Sequence, residues 1–236
     1  MVDSRPREGP ADPAILEEPT NRMTIAIPRM TRLPIDQRGI TLADFLVPIQ
    51  VGERLGVRVR NIALIVAGAM LIYLTARIAF PVPGSPIPVT GQTFGVLLAG
   101  GALGFRRGLS SVALYVLIGL IGLPWFAEGK GGVNVILGAS GGYLVGFVIA
   151  GAVVGRLAEL GWDRRIHGAI AAMLIGNVAI YLVGVPWLMA VADLDLQAGI
   201  AQGVTPFLIG DAIKLALAGA AFPVAWWIVG RRPGER

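Results

Sequence analysis

Asp211 and Lys214 stand three residues apart in "PFLIGDAIKLALAG", an otherwise apolar stretch. At that spacing on a helix, both side chains emerge from one face. A charge at membrane depth costs about 2.5–3.5 kcal/mol on insertion scales, so an acid and a base there are expected to face the protein interior together. Two readings of the pair are open. It is a structural salt bridge, or it offers a carboxylate acceptor and an ammonium donor to the polar head of one ligand. Catalysis is poorly served by the other residue types. The chain has no cysteine and a single histidine, His167, which removes thiolate chemistry and any multi-histidine metal site. No GxxxxGK[ST] segment is present to cradle a nucleotide phosphate. A carboxylate paired with Lys214 also lacks a visible nucleophile beside it. The residues point to binding without covalent chemistry, so no enzyme activity and no cofactor are expected.

Two further segments could line a binding site. "PWFAEGKGGVNVILGASGGY" brings Trp125, Phe126, Glu128, Lys130, Asn134 and Tyr143 together with a run of glycines. Irregular backbone of this kind enters a membrane only where protein or a cavity satisfies its polar groups. "RIAFPVPGSPIPVTGQT" carries Pro81, Pro83, Pro86 and Pro88, which cannot continue a regular helix. They favour a stiff, extended segment, suited either to a plain connector or to a lid with Gln92 and Thr93 just behind it. Arg77 sits beside this segment, placed to face a ligand carboxylate or to snorkel toward the interface.

The elements that must position these residues follow from composition. Of 236 residues, 55% are hydrophobic and 15% charged, against about 25% charged in a soluble domain. Mean hydropathy is +0.70. Between residues 61 and 230 there are eight basic and six acidic residues in 170 positions, and apolar runs near the length of a membrane span repeat. The pattern predicts an all-α integral membrane protein with six transmembrane helices. They are placed at Asn61–Phe80, Val89–Leu103, Gly108–Leu123, Gly138–Ala158, Ile166–Val191 and Val204–Val229. "GFRRG" alone separates the second from the third, and a tight hairpin there keeps two arginines out of mid-membrane. Pro186 is expected to kink or end the fifth. Ala63 and Ala67 form a small-xxx-small pair on the first span, extended by Gly68 and Ala69. Such pairs serve close helix packing or the docking of another protein.

Arginine placement orients the body. Eleven Arg residues fall on one side of the six spans, while Arg77 and Lys130 fall on the other. Both termini are therefore expected in the cytoplasm of a cell-membrane protein. The net charge of +5 is then a topology signal and a lipid contact rather than a nucleic-acid footprint. Residues 1–39 are rich in proline and charge and read as a disordered tail. Their acidic residues do not fit a signal peptide. Residues 40–60 read as a juxtamembrane segment with a short amphipathic helix on "TLADFLVPI", and residues 61–230 as the membrane domain.

Five segments together carry a resemblance: "LADFLVPI", "ARIAFPVPGSPIPVTGQTFGVLLAGGALGFRRG", "ALYVLIGLIGLPWFAEGKGG", "LGASGGYLVGF" and "PFLIGDAIKLALA". Over about residues 40–228 the chain resembles the BioY family, the biotin-binding S components of energy-coupling factor vitamin transporters. The resemblance implies six helices with both termini inside, and biotin held near the outer face beneath the loop joining the first two helices. It maps a D-x-x-K motif onto Asp211 and Lys214 as biotin contacts. It also implies an asparagine between the third and fourth helices, for which Asn134 is the nearest amide. Trp125, Phe126 and Tyr143 are candidates for the apolar wall around the bicyclic ring. Ala63 and Ala67 match the surface such components present to a transmembrane coupling subunit, which works with two ATP-binding cassette ATPases. A solitary, ion-coupled carrier is the alternative reading.

Overall fold

The computed structural model describes residues 41–46 and 54–229. The tail expected over residues 1–39 and the arginines after Val229 lie outside them. The protein is an all-α multi-pass membrane protein. Among the described residues, five helices are long and apolar enough to cross a bilayer.

The chain forms α1 (Leu42–Leu46), α2 (Arg54–Ala76), a two-residue antiparallel ribbon of β1 (Ala79–Phe80) with β2 (Val89–Thr90), and α3 (Gln92–Leu120). There follow α4 (Val133–Leu137), α5 (Gly141–Glu159), α6 (Ile166–Ala192), α7 (Leu196–Gly203) and α8 (Leu208–Val229). Single 3-10 turns at Ala127–Gly129, Trp162–Arg164 and Thr205–Phe207 join some of them. Helices α3, α5 and α6 pack in succession, with α2 against α3 and α8 against α6.

The hairpin expected at "GFRRG" is present but tighter than the spacing suggests. Within α3, Gly104 has φ 80° and ψ −178°, a conformation essentially reserved for glycine. The helix breaks at this one residue, so Arg106 and Arg107 sit in the first turn of the second arm rather than in a loop. The two arms lie side by side. A Cβ added at Gly108 would come within 2.9 Å of the Gly100 Cα, whereas eight residues of straight helix separate such atoms by about 12 Å. Gly155 of α5 completes the contact: a Cβ there would lie 2.6 Å from the Gly104 carbonyl carbon.

Other boundaries also differ from expectation. The first long helix starts at Arg54 and stops at Ala76, so Arg77 lies beyond it and Ala79–Phe80 is strand. Pro81 biases Phe80 toward extended backbone, and β2 captures it in the register Ala79↔Thr90, Phe80↔Val89. Helix α6 runs through Pro186 to Ala192 instead of ending there; a bilayer helix tolerates the lost bond because neighbouring groups can take up the freed carbonyl. The last span is preceded by α7 and a 3-10 turn, which puts Asp211 in the first turn of α8.

At the end of the bundle remote from the proline-rich loop, α1 packs on α3 and α8 with Leu42 and Ala43 buried. Asp44 is its anchor. One carboxylate oxygen accepts from the Thr41 amide at 3.1 Å, a capping contact, and the other accepts from Arg60 at 3.0 Å and Arg107 at 2.8 Å. Burial works to raise the pKa of this carboxyl, but the hydrogen bonds from Arg107 and Thr41 outweigh it and hold the group below its ordinary value.

Candidate functional site

A cavity opens at the other end, between the proline-rich loop, the start of α3, the 124–130 loop and the helices α5, α6 and α8. It holds about 760 Å³ of open space, solvent at its mouth included. Its walls are mainly apolar: Ile87, Phe126, Leu144, Phe147, Ile180 and Phe207.

Asp211 and Lys214 both line it. Asp211 is only 5% exposed. Its Oδ1 meets the Lys214 Nζ at 3.2 Å, and its Oδ2 accepts a short hydrogen bond from the Tyr181 hydroxyl. Lys214 in turn donates to the Thr93 hydroxyl at 2.6 Å. The charge pair is therefore neutral overall, pinned from two other helices and still open on its cavity side. A buried pair of this kind is tolerated because a neutral hydroxyl also holds each partner.

Gln92, also 5% exposed, lines the cavity at the start of α3. Its Nε2 donates to the Tyr115 hydroxyl at 2.5 Å, and that hydroxyl donates to the Trp125 carbonyl at 3.1 Å. The chain of bonds ties the start of α3 to the 124–130 loop. Tyr143 presents its ring to the cavity and anchors its hydroxyl on the Gly203 carbonyl at 2.8 Å. The ring stands at 89° to that of Tyr181, with centroids 6.5 Å apart. Gly184 makes room for it, since a Cβ there would lie 2.7 Å from the Tyr143 ring. Phe126 is buried and also lines the cavity.

The proline-rich loop covers this space as a lid. Pro86, Ile87 and Pro88 line the cavity, and the Ser85 hydroxyl donates to the Gln202 carbonyl of α7 at 2.8 Å. The lid is thus tied to the segment leading into α8.

Three residues singled out in the sequence stand elsewhere. Arg77 does not line the cavity. Its Nη2 donates to the carbonyls of Pro124 at 2.6 Å and Phe126 at 3.0 Å, and its guanidinium lies 4.6 Å from the Tyr73 ring centroid. It clamps the 124–130 loop from behind. Trp125 lies outside the cavity as well, 4.9 Å from Tyr73 and 6.3 Å from Tyr115 between ring centroids. Asn134 is exposed on α4 and does not reach the cavity. The amide that lines it is Asn177 of α6, itself 5% exposed. Asn177 and Tyr181 went unnoticed in the sequence. Their signal was there: two polar side chains four residues apart, on one face in the middle of an apolar span.

On the membrane-facing side of α2, Ala63 and Ala67 are both exposed, flanked by exposed Val59, Ile62, Val66, Met70 and Leu74. Gly68 and Ala69, expected to extend that surface, are buried instead. Gly68 faces Ser111 and Leu103 of α3. His167 is exposed at the start of α6 and takes no part in the cavity.

The arrangement is a lidded, mainly apolar cavity whose lining carries the buried Asp211–Lys214 pair and the more exposed Glu128–Lys130 pair. Known proteins are similar to the chain as a whole. The chain is 37% identical to the Thermotoga maritima biotin transporter BioY over 155 residues, 66% of this chain and 90% of that one. It is 34% identical to the Rhodobacter capsulatus biotin transporter BioY over 173 residues, 68% of this chain and 90% of that one. Among experimental structures it resembles the S-component for biotin from an ECF-type ABC transporter. The TM-score is 0.67 at 26% identity, over 73% of this chain and 94% of that one. The family model described as the BioY family matches residues 48–231, which takes in α2 to α8 and every residue of the cavity, and the chain accordingly belongs to the BioY family.

Proposed function

We propose that this chain binds biotin as the substrate-specific S component of an ECF-type transporter of the bacterial cytoplasmic membrane. The observation that carries the reading is the Asp211–Lys214 pair, buried at the end of an apolar, lidded cavity in a chain whose relatives are biotin transporters. A ureido ring has two N–H donors and one carbonyl acceptor. Asp211 supplies an acceptor for the first, and Lys214 and Asn177 supply donors for the second. Phe126, Tyr143 and Phe147 give the sulfur-containing ring an apolar wall.

Each arm of α3 counts as a crossing in this reading, which makes six, with both termini in the cytoplasm. The first arm is short, about 18 Å from Gln92 to Leu103. Its start stops below the outer surface, and the cavity and lid fill the space above it. The exposed face around Ala63 and Ala67 is where the transmembrane coupling subunit docks, and energy comes from the ATPases bound to that subunit. No covalent chemistry occurs in this chain.

Equilibrium binding of labelled biotin to the purified chain in detergent tests the proposal, with unlabelled biotin and a second vitamin as competitors. Saturable, biotin-selective binding near one per chain is expected. Folded protein that retains no biotin would overturn it and favour an ion-coupled carrier of another solute.

A further inference from the structure

Four charged side chains line the cavity: Glu128, Lys130, Asp211 and Lys214. Two of them form the buried pole, where Lys214 is committed to Asp211 and to Thr93. The other two stand at the mouth. The Lys130 side chain is 61% exposed, and its Nζ lies 2.6 Å from the Glu128 Oε2. The lining therefore holds two ion pairs, one buried and one largely exposed.

The pair at the mouth is held on a turn that is fixed in advance. The Phe126 amide donates to the Lys130 carbonyl at 2.9 Å, and the Lys130 amide returns to the Ala127 carbonyl at 3.1 Å. Arg77 clamps the same turn through the Pro124 and Phe126 carbonyls. Within it, Glu128 has φ 58°, a left-handed conformation that a non-glycine residue adopts at a cost. Strain of that sort is characteristic of functional clamps. Its effect here is to set a carboxylate against Lys130, on the rim of a cavity that receives a ligand.

We propose that Lys130 receives the ligand's carboxylate, and that Glu128 is a placeholder which the ligand displaces. The assignment rests on the biotin reading, because biotin carries one carboxylate at the end of a flexible chain. With the ureido ring at the Asp211–Lys214 pole, that chain leads toward the mouth. Lys130 is the cation of the cavity lining that is held by a carboxylate alone. Exchange of one carboxylate for another leaves the charge at Lys130 balanced, and the displaced Glu128, whose side chain is 33% exposed, is left to solvent. Arg77, the cation that the sequence placed beside the lid, is occupied with backbone carbonyls and does not line the cavity.

The test is equilibrium binding of biotin and of its neutral methyl ester to the full chain and to Lys130→Met, Lys130→Arg and Glu128→Gln. Lys130→Met is expected to weaken biotin binding about three- to tenfold, the scale of a partly exposed ion pair, and to leave the methyl ester unchanged. Lys130→Arg should restore most of the loss. Glu128→Gln removes the competitor and should tighten binding of the acid but not of the ester. Equal weakening of both ligands by Lys130→Met, or of neither, overturns the assignment, as does wild-type protein that binds acid and ester alike. Wild-type protein that binds neither ligand overturns the biotin reading itself, and this assignment with it.

Discussion

The Lys214 ammonium lies 2.6 Å from the Thr93 hydroxyl, which joins α8 to the start of α3 across 121 positions of sequence. The same ammonium holds Asp211 at 3.2 Å, and Tyr181 holds that carboxylate from α6. Three helices thus converge on one neutral cluster at the buried end of the cavity, and each fixes a group that the others need.

Substitutions in this cluster should separate binding from folding. Asp211→Asn keeps the shape but replaces a full acceptor with an amide and leaves Lys214 uncompensated. Biotin affinity is expected to fall about tenfold or more. Thr93→Val keeps the β-branched shape and removes only the acceptor for Lys214, for an expected loss of about three- to tenfold. Titration with labelled biotin reads both. Unchanged affinity in Asp211→Asn protein would remove Asp211 from the site.

Arg77 acts through the loop it clamps. Arg77→Ala removes two hydrogen bonds to the carbonyls of Pro124 and Phe126 and the stacking on Tyr73. The variant should melt at a lower temperature and bind biotin and its methyl ester more weakly by the same factor. A loss confined to the acid would instead place Arg77 on the ligand's carboxylate.

The hairpin of α3 depends on Gly104. An alanine Cβ there would lie 2.7 Å from the Thr41 Cγ2 and 3.0 Å from the Glu159 Oε1, on a backbone with φ 80°. Gly104→Ala is expected to cost about 1–3 kcal/mol for the backbone conformation alone. Thermal melting in detergent checks it; an undiminished melting temperature would mean that the bend is reached another way.

The features visible in the sequence are those that charge and apolar run length encode. Asp211 and Lys214 stood out because two charges interrupt an apolar span, and the lid stood out because four prolines forbid a helix. Tyr181 did not, because a tyrosine in a membrane helix is ordinary until its neighbour across the cavity is known. Asn134 and Asn177 show the same limit. Both are single amides near the expected site, and only the packing of α6 against α5 decides which one reaches the cavity. Proximity to the lid leaves Arg77 open to a ligand carboxylate or to the interface, yet the carbonyls it holds belong to a loop about 47 residues further on. Contacts made through backbone carbonyls leave little trace in residue types.

Acidification should affect this protein through Asp163 in a particular direction. Its carboxyl is buried in the turn between α5 and α6. It accepts from the Trp226 indole at 2.6 Å, and burial pushes its pKa up to about 6, against the lowering effects of Trp226 and Arg164. Between the ordinary value of 3.8 and about 6, the native state holds a proton that the unfolded chain has released. Stability therefore falls as pH rises through that window. The wild-type melting temperature, measured relative to Asp163→Asn, should rise by about a few degrees as pH drops from roughly 7 to 5. A difference that does not change with pH would show that Asp163 stays ionised in the native state.

The exposed face of α2 offers the cleanest separation of binding from coupling. Ala63 and Ala67 are exposed near the middle of α2, and no residue of that helix lines the cavity. Small side chains at that spacing let a second helix approach closely. Ala63→Leu adds bulk to that surface without touching the site. Biotin affinity should be unchanged, while recovery of the chain with a co-expressed coupling subunit should drop. Both quantities come from one preparation, the first by ligand titration and the second by co-purification. Complex formation at the wild-type level would show that this face meets only lipid, and the docking surface would have to be sought on another helix.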